Sequence, residues 1–239
     1  MATYVLVHGA WHCGELFEDT AEVIRRSGFD VFLPTLLGNA PGDRKDVGLA
    51  DAIDSAVAFI SAAELSDIVL VGHSYGGMVI TGVADQLTPR IRRLVYWNAF
   101  VPNDGECLND MLPPEIVELF DSLVGDDGAM LMPFPVWREA LMNDATLALA
   151  QEAYAKLNPH PYKTFTESIV LATNPADMTI AKSYINCTED ISIPQSLGWH
   201  PRLSEKLGLF RLVQTPGSHE LCFTNPALLA QKIMEAGRD

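Results

Sequence analysis

Short runs of β-branched residues alternate with stretches of helical period from the start of the chain, and no other feature narrows its fold as much. Tyr4–Val7, Val31–Leu33 and Ile68–Val71 read as strands, with helices over Leu16–Ser27, Leu49–Ala63 and Met78–Gln86. After Gly48, the residues Leu49, Ile53, Ala56, Val57 and Ile60 fall on one face at helical spacing, which suits a helix lying on a sheet. Asp67-Ile68-Val69-Leu70-Val71 lacks polar alternation, as a central parallel strand covered on both faces does. Strand following helix following strand predicts an α/β chain with an open, doubly wound, mostly parallel sheet. Leu94–Trp97 continues the series. The pattern then breaks over residues 101–178 into a segment rich in Pro, Met and Asn, without clear strands, which reads as a cap insertion. Strand character returns at Ala181–Asn186 and Phe210–Val213. Asn225-Pro226 then opens a closing helix through Met234, with Asn suited to the N-cap and Pro to the first helical position. A chain of 239 residues is expected to form one domain, 1–239, with 101–178 as its insertion.

Charge removes several function classes. Asp and Glu outnumber Lys and Arg by 31 to 16, a formal net charge of −15, so the summed field repels phosphate backbones and anionic lipid. Neither nucleic acid nor membrane is an expected partner, and no apolar run approaches the roughly 18 to 20 residues of a membrane span. Before Tyr4 there is no basic segment, long apolar stretch or cleavage-site pattern, so a soluble cytoplasmic protein is expected. Cys13, Cys107, Cys187 and Cys222 are scattered without metal-finger spacing and are expected to be free thiols. A small-molecule substrate is the expected partner, and a homodimer is left open.

Gly72-His73-Ser74-Tyr75-Gly76-Gly77 matches G-x-S-x-G directly after a buried strand and before a helix. A sharp strand-to-helix turn there holds Ser74 in a strained conformation, and the flanking glycines avoid collisions with neighbouring backbone. The arrangement presents Ser74 at the C-terminal sheet edge as a nucleophile. A phosphate-binding loop fits poorly, because no G-K-[ST] follows. The first strand runs into His8-Gly9-Ala10-Trp11-His12 at the same edge. An oxyanion hole would then use the backbone N–H groups of Ala10 and Tyr75, each donor worth about 3 kcal/mol in the transition state. Gly9 leaves room beside the substrate carbonyl, and Trp11 and His12 are expected at the pocket. His8 and His12 stand four apart on a loop with no partnering carboxylate, so no metal site is expected.

Six histidines compete for the role of base. With this elbow the chain order is Ser, acid, His, the histidine lying between the last strand and last helix. His219 alone satisfies that order. His73 should point away from the site, and His160 and His200 lie in proline-flanked segments typical of surface loops. Just past the strand Ala181–Asn186, Asp190 is chosen as the acid that accepts Nδ1–H of His219 and fixes its tautomer, with Glu189 as runner-up. At the end of the preceding strand stands Asn98, which is neutral. With an ordinary histidine pKa near 6.5, activity is expected to fall below about pH 6.

Five stretches together resemble one branch of the α/β-hydrolase superfamily: hydroxynitrile lyases, plant methyl esterases and bacterial pyrethroid-hydrolase-like esterases. They are Val7–His12, Val71–Gly77, Asn98-Ala99-Phe100-Val101-Pro102, Thr188–Pro194 and Gly217-Ser218-His219, and the likeness covers most of the chain. The resemblance implies a small helical cap and a hydrolase without a cofactor. Lyases of this branch carry a threonine where this chain has Gly9 and a lysine where it has Glu220. A carboxylate beside the base also disfavours an anionic leaving group such as cyanide. Glu220 is equally unlike the small or apolar residue of the esterases, so the substrate class stays open.

Met130-Leu131-Met132-Pro133-Phe134-Pro135-Val136-Trp137 could line a pocket for a hydrophobic ester through Met132, Phe134 and Trp137, or form the insertion's own small core. No Arg or Lys cluster there grips an anion, which favours a neutral substrate. Three readings follow: an ester hydrolase working through an acyl-enzyme, the same fold and triad used for C–C hydrolysis or a lyase or ring-opening step, and a non-catalytic receptor.

Overall fold

In the computed structural model, which describes residues 2–239, the apolar runs form the middle of a parallel sheet. Strands β1 (Thr3–Val7), β2 (Asp30–Phe32), β3 (Ile68–His73) and β4 (Ile91–Trp97) alternate with helices α1 (Glu18–Arg26), α2 (Leu49–Ala62) and α3 (Gly76–Leu87). The next segment carries α4 (Pro114–Leu123), β5 (Ala129–Met130), α5 (Phe134–Val136), α6 (Leu147–Tyr154), β6 (His160–Pro161) and α7 (Lys163–Thr166). Strands β7 (Ala181–Cys187) and β8 (Arg211–Thr215) follow, then α8 (Leu221–Thr224) and α9 (Pro226–Ala236). The six-stranded sheet runs β2-β1-β3-β4-β7-β8 with every pairing parallel.

The absence of polar alternation in β3 has its cause in the two cores. Ile68 and Leu70 face the core shared with α2 and α3, while Val69 and Val71 face the one shared with α1 and α9. A strand with both faces covered leaves no position for a polar residue. The final helix starts as its sequence demands: the Asn225 side chain accepts from the Leu228 N–H, and Pro226 occupies the first turn.

One expectation fails between residues 101 and 178, where β5 and β6 form a two-residue antiparallel ladder. Two residues are too few to show a period of two, and Pro161 argues against a strand. Tertiary contacts make the ladder: Met130 and His160 are fully buried, and the Met130 carbonyl accepts from Trp11 Nε1–H at 3.1 Å.

Candidate active site

The site lies where β1, β3, β4, β7 and β8 end. Among the described residues, five other than glycine adopt positive φ, and three of them, Trp11, Ser74 and Asn98, sit at these ends. Ser74 has a φ of 54°, the strained elbow its motif predicts. Its N–H donates to the Trp97 carbonyl at 3.2 Å, and its carbonyl accepts from Gly77 and Phe100. A β-carbon at Gly76 would lie 2.7 Å from the Val7 oxygen, and one at Gly77 would lie 2.1 Å from the Phe100 oxygen. Close backbone approach therefore requires both glycines.

Asp190 and His219, on the loops after β7 and β8, meet at 2.6 Å between Oδ2 and Nδ1. Asp190 also accepts from Ser192 N–H at 2.8 Å, from Ser192 Oγ–H at 2.6 Å and from the Asn98 side-chain amide. Burial favours the neutral acid, but His219, Ser192 and Asn98 outweigh it and hold the carboxyl below its usual range. An ionised carboxylate only accepts, so the His219 proton sits on Nδ1 and leaves Nε2 as the other ring nitrogen. Burial works against the imidazolium, yet Asp190 and then Glu220 raise the His219 pKa above its ordinary value. Trp199 stacks on the ring with centroids 5.1 Å apart.

Ser74 and His219 line one cavity, whose empty volume is about 500 Å³ including its mouth. Gly9, Ala10, Trp11, His12, Tyr75 and Met132 line it too. The N–H groups of Ala10 and Tyr75 donate to no backbone carbonyl among the described residues. Phe134 and Trp137 are absent from the cavity wall. Phe134 packs edge-on against Tyr154, and Trp137 is fully buried, its indole N–H donating to the Ala150 carbonyl. Both pack within the large apolar core that also holds Val7 and Leu70, behind the cavity wall, and Trp137 backs His12 with ring centroids 6.0 Å apart.

Other histidines differ from expectation. His73 does not point away; its Nε2–H donates to the His219 carbonyl at 3.0 Å, and its ring stacks on Trp97 and borders the cavity. His160 is fully buried rather than on a surface loop, bonded to Asn39 and Thr164 and in edge contact with Tyr75. His200 is half-buried and bonded to Ser204. His8 shapes the loop, donating to the Gly9 carbonyl and accepting from the Leu36 N–H, and burial lowers its pKa to about 3. Glu189 faces Gly217 N–H instead of His219.

Asn98 and Ser192 escaped the sequence reading. Sequence alone assigns Asn98 no role at the site, yet its oxygen accepts from Cys187 N–H at 2.7 Å while its amide supports Asp190. The signal was present in Asp-Ile-Ser, where a serine two residues on closes a turn onto the aspartate.

Residues 4–232 match the family described as "Alpha/beta hydrolase family". The chain belongs to that family. It is 32% identical to a carbendazim hydrolyzing esterase of Nocardioides sp. (strain SG-4G), across 99% of this chain and 100% of that one. It is 25% identical to a pyrethroid hydrolase of Sphingobium wenxiniae, across 97% of this chain and 86% of that one. A solved structure of an α/β-hydrolase from a Paenibacillus species, described as extracellular, superposes with a TM-score of 0.96 at 35% identity and full coverage of both chains. The chain is an enzyme, a hydrolase of the esterase type. Its four cysteines are free, and among the described residues no helix is long and apolar enough to cross a membrane.

Proposed function

We propose that this chain hydrolyses a carboxylic ester of a small, neutral, largely apolar molecule through an acyl-enzyme on Ser74. His219 takes the Ser74 proton as the hydroxyl attacks and returns it to the leaving alcohol, and water then attacks the acyl group by the same route. Asp190 orients the imidazole and balances its charge, while the Ala10 and Tyr75 N–H groups receive the oxyanion. The observation that carries this reading is the 2.6 Å contact of His219 Nδ1 with Asp190, at a cavity that Ser74 also borders.

Apolar side chains of residues 101–178, including Leu108, Leu112, Ile116 and Phe120, border the cavity and support the segment's reading as a cap over an apolar substrate. Among the described residues, no Lys or Arg borders it. A β-carbon at Gly9 would lie 2.9 Å from His73 Nδ1 and 3.2 Å from Ser74 Cβ. The threonine associated with lyase chemistry therefore has no room unless His73 moves, which favours ester hydrolysis. The names of the carbendazim- and pyrethroid-hydrolysing relatives agree with it. A cytoplasmic location is part of the proposal and rests on the free thiols; the Paenibacillus protein's description as extracellular stands against it, and cell fractionation decides. A panel of p-nitrophenyl esters tests the chemistry. Burst kinetics that vanish in Ser74→Ala are expected, and full activity in that variant overturns the proposal.

A further inference from the structure

Beside His219 lies a second group of buried side chains, none of which carries a proton in the hydrolysis just described. His12, Glu220 and Cys222 are each at most 2% exposed, and one ligand atom from each lies within 4.8 Å of the others. No metal was expected at His12 because its loop offers no carboxylate; the loop after β8 supplies one, in Glu220.

The tautomer of His12 sharpens the picture. Its Nδ1 lies 2.6 Å from the Ala10 carbonyl, which can only accept, so that nitrogen carries the proton and Nε2 turns toward Glu220. Glu220 Oε2 is 3.1 Å from Nε2, yet it sits off the axis along which a ring N–H would point, so Nε2 is buried without a hydrogen-bond partner among the described residues. Cys222 Sγ approaches the same oxygen at 3.6 Å. Two acceptors that converge need a cation between them, either a proton or a metal ion. A hydrogen bond wants the oxygen in line with the nitrogen, whereas two ligands of one tetrahedral ion lie off that line. Zinc bond lengths give separations of roughly 3.4 Å for a nitrogen–oxygen ligand pair and roughly 3.6 Å for a sulfur–oxygen pair. The sulfur–oxygen contact found matches at 3.6 Å and the nitrogen–oxygen contact is shorter at 3.1 Å, and the backbone-held Nδ1–H is the outer bond that ligating histidines make.

We propose that His12 Nε2, Glu220 Oε2 and Cys222 Sγ form a site for a borderline-soft divalent cation such as Zn²⁺, and that its occupation inhibits the esterase. Nitrogen, oxygen and thiolate donors suit such an ion better than Mg²⁺ or Ca²⁺. His12 and Glu220 border the cavity, which provides the way in and a fourth, open position. On binding, the Cys222 thiol releases its proton to solvent; burial and Glu220 otherwise keep that thiol protonated. Inhibition follows from charge. Glu220 also lies within 4.8 Å of ligand atoms of His219 and His73, so a dication there opposes the imidazolium that His219 must become.

The test uses metal alone on the intact chain. Calorimetric titration with Zn²⁺ is expected to show one saturable equivalent per chain, with parallel loss of esterase activity that a chelator restores. Co²⁺ should give a sulfur-to-metal charge-transfer band, which Cys222→Ser abolishes and Cys187→Ser retains. Affinity for Zn²⁺ should fall at least about 10-fold in Cys222→Ser, the loss expected even for an outer-shell partner. Should Cys222→Ser fail to fold by circular dichroism, Glu220→Gln serves in its place with the same expected loss. No saturable equivalent, or unchanged affinity and Co²⁺ spectrum in the folded variant, overturns the proposal.

Discussion

Two buried carboxylates meet histidines that line the same cavity, and they do so in different ways. Asp190 takes hydrogen bonds from His219, Asn98 and both donors of Ser192, the first of them at 2.6 Å. Glu220 meets His12 at 3.1 Å and off axis, with only the weak Cys222 thiol donor beside it. Burial opposes the charge of both, yet each carboxyl is held below its usual range. A fully bonded pair fixes one tautomer and suits repeated proton transfer, because nothing in it must reorganise. An under-bonded pair keeps a lone-pair direction free for something else.

The largest break in this comparison comes from the first pair. Asp190→Asn keeps the shape but presents the wrong partner to Nδ1, and kcat should fall about 10⁴-fold in steady-state assays. Asn98→Ala removes one charge-assisted bond, worth about 1.5–3 kcal/mol, so kcat/KM should fall roughly 10- to 100-fold without loss of the folded circular dichroism signal. An unchanged rate would show that Asn98 serves β7 alone.

Glu220→Gln sharpens the contrast. As the proposed base His219 works only when neutral, so activity should rise with pH through its raised pKa, and the acid limb should lie above pH 6.5. That corrects the lower limb an unperturbed histidine implies. Glu220 contributes to the rise, so its neutral replacement should move the limb toward lower pH in a kcat/KM profile. The plateau rate should fall by much less than the roughly 100-fold minimum typical of a lost general base. A limb that stays in place would uncouple Glu220 from the base. The smallest effects separate the cavity wall from the side chains packed behind it. Met132→Ala should raise KM for an apolar ester about 10-fold, and Phe134→Ala should leave it within about twofold.

Legibility in the sequence followed the range of the interactions. The sheet was readable because each strand carries its burial in its own residues, and Ser74 because an elbow needs small neighbours on either side. His219 and Asp190 could be found by chain order and by their place after strands. Asn98 and Ser192 were missed because their roles exist only once the ends of β4 and β7 are side by side. Flanking prolines suggested a surface for His160, while tertiary packing against Tyr75 and Trp11 put it inside. Met132, Phe134 and Trp137 share one apolar stretch, and no local signal tells which side chain faces the substrate. The meeting of His12 with Glu220 joins the two ends of the chain and leaves no mark in either neighbourhood.

Fluorophosphonate labelling with mapping of the adduct tests the central claim most directly. One adduct on Ser74 is predicted, absent in Ser74→Ala and formed far more slowly in His219→Ala. An adduct on another residue, or Ser74 labelling at an undiminished rate without the imidazole, would contradict it.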